Sequence, residues 1–226
     1  MRSRPVVVAM VILPLAAGTP ANGTDCGETA ALIAPTRPYV AFRRLEAENR
    51  KSGRQGWMDV RTELGGNGLL TVEVLDEGGS DYIRNRVLRA ALDSEQQLVA
   101  RRHSSPVPTT DTPSCAESHL DESGLLRVPL KPGRKGDHPV IGHMFLEPST
   151  GDLVRVAGRL AKNPSFWISQ VDVEWTYARI HKDIVLPVSL HSVAKVKVFG
   201  PSTFSMTYDY RSVEGQPVSI DSLALR

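Results

Sequence analysis

The chain has 226 residues, 41% of them hydrophobic and 23% charged, which suits one larger all-β domain with a real core, or two small domains. Its formal charge is +2, from 27 Lys plus Arg against 25 Asp plus Glu, with no basic block. That balance excludes the electrostatic footprint of a nucleic-acid binder.

Arg2 and Arg4 precede an apolar run from Val6 to Ala17, and small residues follow to Ala21. This is the layout of a secretory signal peptide. A membrane anchor needs about 20 apolar residues, whereas this run is shorter and carries Pro14. Residues 1–21 are therefore assigned to a signal, cleaved near Gly18 or Ala21, and 22–226 to a single exported domain. No later segment is long or apolar enough to span a membrane. Loss of Arg2 and Arg4 lowers Lys plus Arg from 27 to 25, equal to the acidic count, so the mature chain is formally neutral. The pI near 8.6 belongs to the signal.

Two cysteines remain, Cys26 and Cys115. An even count in an exported chain points to a disulfide. A bridge closing roughly 90 residues would contribute on the order of 4 kcal/mol in the chain-entropy picture. The other role for Cys26 is lipidation just behind the signal. Asp25 disfavours it, because a lipoprotein signal takes small or apolar residues there.

Residues 22–35 read as an irregular leader ending in Ala34-Pro35. From Thr36 to Lys51 the spacing of Tyr39, Phe42, Leu45 and Asn49 predicts a helix, with Arg43, Arg44, Glu46, Glu48 and Arg50 on its wet side. Thr36 would be its N-cap, Pro38 its first turn, and Ser52-Gly53 its end. Strands over 57–64 and 69–75 flank Gly65-Gly66-Asn67-Gly68, a strong turn signal. Met58, Val60, Thr62 and Leu64 share one face of the first strand; Leu70, Val72 and Val74 share one of the second.

A second helix is expected from a Ser80 cap to Val99. Its stripe is Ile83, Val87, Leu88, Ala91, Leu92 and Leu98, and its wet face Arg84, Arg86, Arg89, Glu95 and Gln96. From about 101 to 124 the chain is polar and reads as a long exposed loop. Strands follow over 125–131, 138–147, 152–161 and 166–179. Val171, Val173, Trp175 and Tyr177 share a face of the last of these.

The clearest signal lies in 187–211. Val188, Leu190, Ala194, Val196 and Val198 alternate with polar residues, as do Phe204, Met206, Tyr208 and Tyr210 after Gly200-Pro201-Ser202. Period two gives each arm one apolar and one polar face, so this is a hairpin with one buried side. Short links between successive strands imply an antiparallel meander.

Chemistry is hard to find. Six histidines occur, but His103, His119, His138, His143, His181 and His191 do not fall at the short fixed spacings of a zinc site. There is no Gly-x-Ser-x-Gly elbow, no phosphate-binding glycine loop and no Cys-x-x-Cys. Asp172 and Glu174 share a strand face, as a glycosidase pair could, although two carboxylates on a polar face are ordinarily just solvated. The expectation is a protein that is not an enzyme and holds no metal or cofactor. The inward set Val173, Trp175, Tyr177, Val196, Val198, Phe204, Met206, Tyr208 and Tyr210 either fills a core or lines an apolar cavity left open by a curved sheet. Both readings stand.

The order of elements resembles the superfamily of periplasmic lipoprotein carriers and outer-membrane lipoprotein-sorting proteins. Gly142-His143-Met144-Phe145-Leu146-Glu147-Pro148 through Gly151-Asp152-Leu153-Val154-Arg155-Val156 looks like that superfamily's recurrent hairpin, and Gly200 to Tyr210 like its final strand pair. The resemblance implies a mainly β (α+β) fold: an incomplete antiparallel β-barrel meander with about two helices against its concave face. It further implies a periplasmic or envelope-associated half-barrel that shields a lipid or an acylated protein in a hydrophobic cavity. The alternative is an envelope structural or interaction protein with a closed core, whose partner is another envelope protein. An exported hydrolase is the third reading.

Overall fold

The computed structural model describes residues 37–104, 118–130, 140–161, 163, 166–181 and 184–218. The signal peptide, both cysteines with their expected bridge, and His138 lie outside these residues.

The first described element corrects the sequence reading. Residues 39–49 are a strand, β1 (Tyr39–Asn49), not a helix, and the side chains alternate strictly between buried and more exposed. Tyr39, Ala41, Arg43, Leu45 and Ala47 point inward. The helical spacing arose because Phe42, an outward residue, happens to fall three from both Tyr39 and Leu45. Arg43 at an inward position hid the period of two.

β2 (Arg54–Leu64) and β3 (Leu70–Gly79) follow as an antiparallel pair. Their turn is closed by Gly68 N donating to Gly65 O at 3.0 Å, with Asn67 Oδ1 accepting from Leu69 N. The chain then enters one helical segment: α1 (Asp81–Ile83), a π-helical turn over Arg84–Leu88, and α2 (Arg89–Ser104). Gly79 makes the corner, with φ 83° and Gln55 O only 2.5 Å from where a Cβ would sit. Ser80 holds the N-cap place but its hydroxyl caps nothing. The segment is fastened to β3 through Glu77, which accepts from Arg84 at 2.8 Å and Arg89 at 2.7 Å. Ile83, Leu88, Ala91 and Leu92 of the expected stripe are buried, and the helix backbone runs closest to β1, β2 and β3.

The remaining strands are β4 (His119–Leu120), β5 (Leu126–Leu130), β6 (Val140–Leu146), β7 (Leu153–Leu160), β8 (Ile168–His181), β9 (Ile184–Val196), β10 (Gly200–Val213) and β11 (Gln216–Pro217). Thus α2 reaches Ser104 and β4 begins at His119, both inside the stretch expected to be loop.

The eleven strands of the described residues form one antiparallel sheet in the order β3-β2-β1-β10-β9-β8-β7-β6-β5-β4, with β11 on β10. The first three strands meander into the helical segment, and the strands from β4 at the far edge meander back until β10 lies against β1. The sheet stays open between β3 and β4. This is the expected incomplete antiparallel half-barrel, with one helical segment among the described residues where about two were expected.

Two glycines let β6 and β7 approach closely. Gly142 on β6 and Gly158 on β7 face each other, and a Cβ on Gly142 would fall 2.1 Å from Ala157 O and 2.5 Å from Gly158 Cα. Paired strand glycines permit this close approach of backbones.

Candidate functional site

Following the strand register inward, one row of side chains runs across eight neighbouring strands. Met58, Leu45, Met206, Leu190, Trp175, Val156, Met144 and Val128 are successive cross-strand partners from β2 to β5. Each is buried, none more than 4% exposed. Cross-strand neighbours on one face are the packing unit of a sheet, and full burial of each such side chain contributes about 1.5–3 kcal/mol. Leu88, Ala91 and Leu92 of the helix belong to the same buried cluster as this row.

The expected lining residues fall mostly on this wall. Val173, Trp175, Tyr177, Phe204, Met206 and Tyr210 are buried, while Val196 and Tyr208 are partly buried and packed on the same clusters. Val198 is a correction. β9 ends at Val196, and Val198 sits in the hairpin turn with φ 73° and 70% of its surface exposed. The turn is Lys197-Val198-Phe199; Gly200 already belongs to β10.

Two inward residues were read from sequence as solvated. Arg43 of β1 and Glu95 of α2 are both buried, with Nη2 donating to Oε2 at 2.7 Å. Arg43 also donates to Met206 Sδ, 3.2 Å from Nε, and its guanidinium lies 4.8 Å over the Tyr208 ring. Around it, Tyr39 and Tyr210 meet edge to face at 5.5 Å, and Tyr208 stacks on Tyr210. Tyr210 Oη donates to Pro187 O at 2.9 Å. Two buried polar atoms of this region have no partner among the described residues: Arg43 Nη1 and Tyr177 Oη. Orphaned buried donors are rare in folded proteins.

Electrostatics here follow from burial. It pushes the Tyr39, Tyr177, Tyr208 and Tyr210 hydroxyls above their ordinary value, and the Glu95 charge adds to this at Tyr39, Tyr208 and Tyr210. Burial opposes the Arg43 charge, but Glu95, Tyr208 and Tyr39 together more than offset it, so the guanidinium is held more firmly charged. Signals for both residues exist in the sequence. Arg43 keeps parity with Ala41 and Leu45, and Glu95 continues the helical spacing of Leu88, Ala91 and Leu92.

The opposite face carries the other candidates. Asp172 accepts from Gln170 Nε2 at 2.7 Å, and Glu174 lies across from His191 on β9. Glu174 is also 4.0 Å from Arg155. Among the described residues no group of three or more His, Cys, Asp or Glu is placed to hold a metal. An open cleft of about 390 Å³ lies on this outer face, walled by Glu46, Glu48, Gln55, Trp57, Thr203 and Ser205. Sequence reading gave no sign of it, because Thr203 and Ser205 of β10 lie far along the chain from the walls on β1 and β2. No described helix is long and apolar enough to cross a membrane.

No family model matches the chain, and no curated protein matches it. Among solved structures, a LolA superfamily protein from Nitrosomonas europaea is similar in fold: it is 7% identical, covers 85% of this chain and 91% of its own, and superposes with a TM-score of 0.45.

Proposed function

We propose that this protein is an exported, envelope-located carrier that shields an acyl chain of a lipid or lipoprotein against the concave wall of its half-barrel. The observation that carries the reading is the eight-strand apolar row on the inner face of the half-barrel. Three methionines in that row, Met58, Met144 and Met206, suit a wall that must repack around a flexible chain. Burying roughly ten methylenes at ~0.8 kcal/mol each gives ample affinity before ordering costs are subtracted. No catalytic role is assigned to any residue.

The test is purification from the native envelope under non-denaturing conditions, solvent extraction and mass spectrometry. A stoichiometric lipid is expected. Recovery of bare protein that also refuses added acyl chains contradicts the proposal.

A second reading, a closed-core envelope interaction protein, is favoured by the burial of Trp175, Leu190 and Met206 to 2% or less. It predicts a stoichiometric protein partner from envelope extracts and no lipid.

A further inference from the structure

At one end of the sheet, three loops meet and present four exposed apolar side chains. Phe166 is 77% exposed, Trp167 42%, Val198 70% and Phe199 55%. Phe166 and Trp167 meet edge to face at 5.8 Å just before β8. The β9–β10 turn joins them, because Lys197 N donates to Trp167 O at 2.8 Å and its ammonium lies 4.0 Å over the Phe166 ring. The loop after β1 joins as well, with Lys51 Nζ donating to Val198 O at 2.8 Å and Asn49 Nδ2 to Phe199 O at 3.1 Å. The four side chains therefore belong to one cross-tied tip.

Single exposed hydrophobic residues are ordinary, but a tied cluster of large ones marks an interaction surface. Val198 strengthens the point, since a β-branched residue at φ 73° occupies a backbone conformation such residues avoid.

Charge identifies the partner. In residues 49–54, 166–167 and 196–200 every charged side chain is a cation: Arg50, Lys51, Arg54 and Lys197. The adjoining Glu48 is paired with Arg50 at 3.5 Å. A protein partner ordinarily covers about 800 Å² per side, and four partly exposed side chains, at about 150–250 Å² for each fully buried aromatic, fall short of that. A lipid surface needs no such area. Aromatic rings with cations on apolar stems are the composition that settles at a membrane interface, and anionic lipids add attraction for each nearby cation.

We propose that this tip docks the protein on an anionic phospholipid bilayer, with Phe166, Trp167, Val198 and Phe199 entering the interfacial layer and the four cations meeting lipid phosphates. The inference does not depend on the concave wall holding a ligand.

The test is co-sedimentation of the full chain with phosphatidylcholine vesicles, with and without phosphatidylglycerol. Binding is expected with phosphatidylglycerol present and should weaken as salt is raised. The double variant Phe166→Ser/Phe199→Ser should bind at least roughly tenfold more weakly, since removing even one buried aromatic is worth that much. Lys51→Glu/Lys197→Glu should lose the preference for anionic vesicles. Equal binding by wild type and the serine variant would overturn the proposal, as would no binding to either vesicle. Self-association of the wild type that the serine variant abolishes, without vesicle binding, would also overturn it and make a second copy the occupant. Loss of acyl-chain uptake with vesicle binding intact would sink the carrier reading and leave this one standing.

Discussion

Arg43 on β1 and Glu95 on α2 lie 2.7 Å apart, Nη2 to Oε2, with neither side chain more than 3% exposed. Sheet and helix thus share a buried ion pair, and a buried charge that loses its partner is costly. Arg43→Met or Glu95→Leu alone should destabilise the fold by about 3–5 kcal/mol, whereas the double replacement should recover most of that loss. Urea denaturation of the single and double variants gives the answer. A single-variant cost below about 1 kcal/mol would place the pair with ordinary surface salt bridges.

The same cluster governs alkaline stability. Tyr39, Tyr177, Tyr208 and Tyr210 all have their ionisation raised by burial above the ordinary value of 10.0. Above that pH the unfolded chain gives up these protons while the fold retains them, so stability falls as pH rises. Absorbance of four tyrosinates should therefore appear together with loss of structure by circular dichroism. Their appearance in a still-folded protein would contradict the buried placement.

Gly142 and Gly158 are partners across β6 and β7. Gly142→Ala should cost about 1–3 kcal/mol by forcing the strands apart, since Ala157 O is 2.1 Å from the added carbon. Gly66 is the control, because an added Cβ would meet, among the described residues, only Pro38 Cγ at 3.8 Å. Gly66→Ala should change stability by no more than a few tenths of a kcal/mol, read from the same denaturation curves.

Much of the fold was legible in the sequence, and the exceptions have physical causes. The arms of the β9–β10 hairpin could be read because Leu190, Ala194, Phe204 and Met206 alternate with polar residues on a sheet wet on one side. β1 could not, because its inward set includes Arg43, and a charge at an inward position mimics a wet face. Glu95 was misread for the same reason. A buried pair looks like two solvated residues until its partners are known, and these are 52 positions apart. Val198 was misplaced because alternation continues past the end of a strand, whereas hydrogen bonding does not. The outer cleft and the aromatic tip assemble from distant segments, and no local pattern announces either.

The central claim is that the concave wall receives an acyl chain, and Trp175 in the middle of that wall reports on it. Trp57→Phe and Trp167→Phe leave Trp175 as the one tryptophan of the three. Titration of that protein with a bromine-labelled acyl chain should quench its fluorescence saturably, and an unlabelled chain should restore it. An unquenched Trp175 throughout the titration would contradict the account.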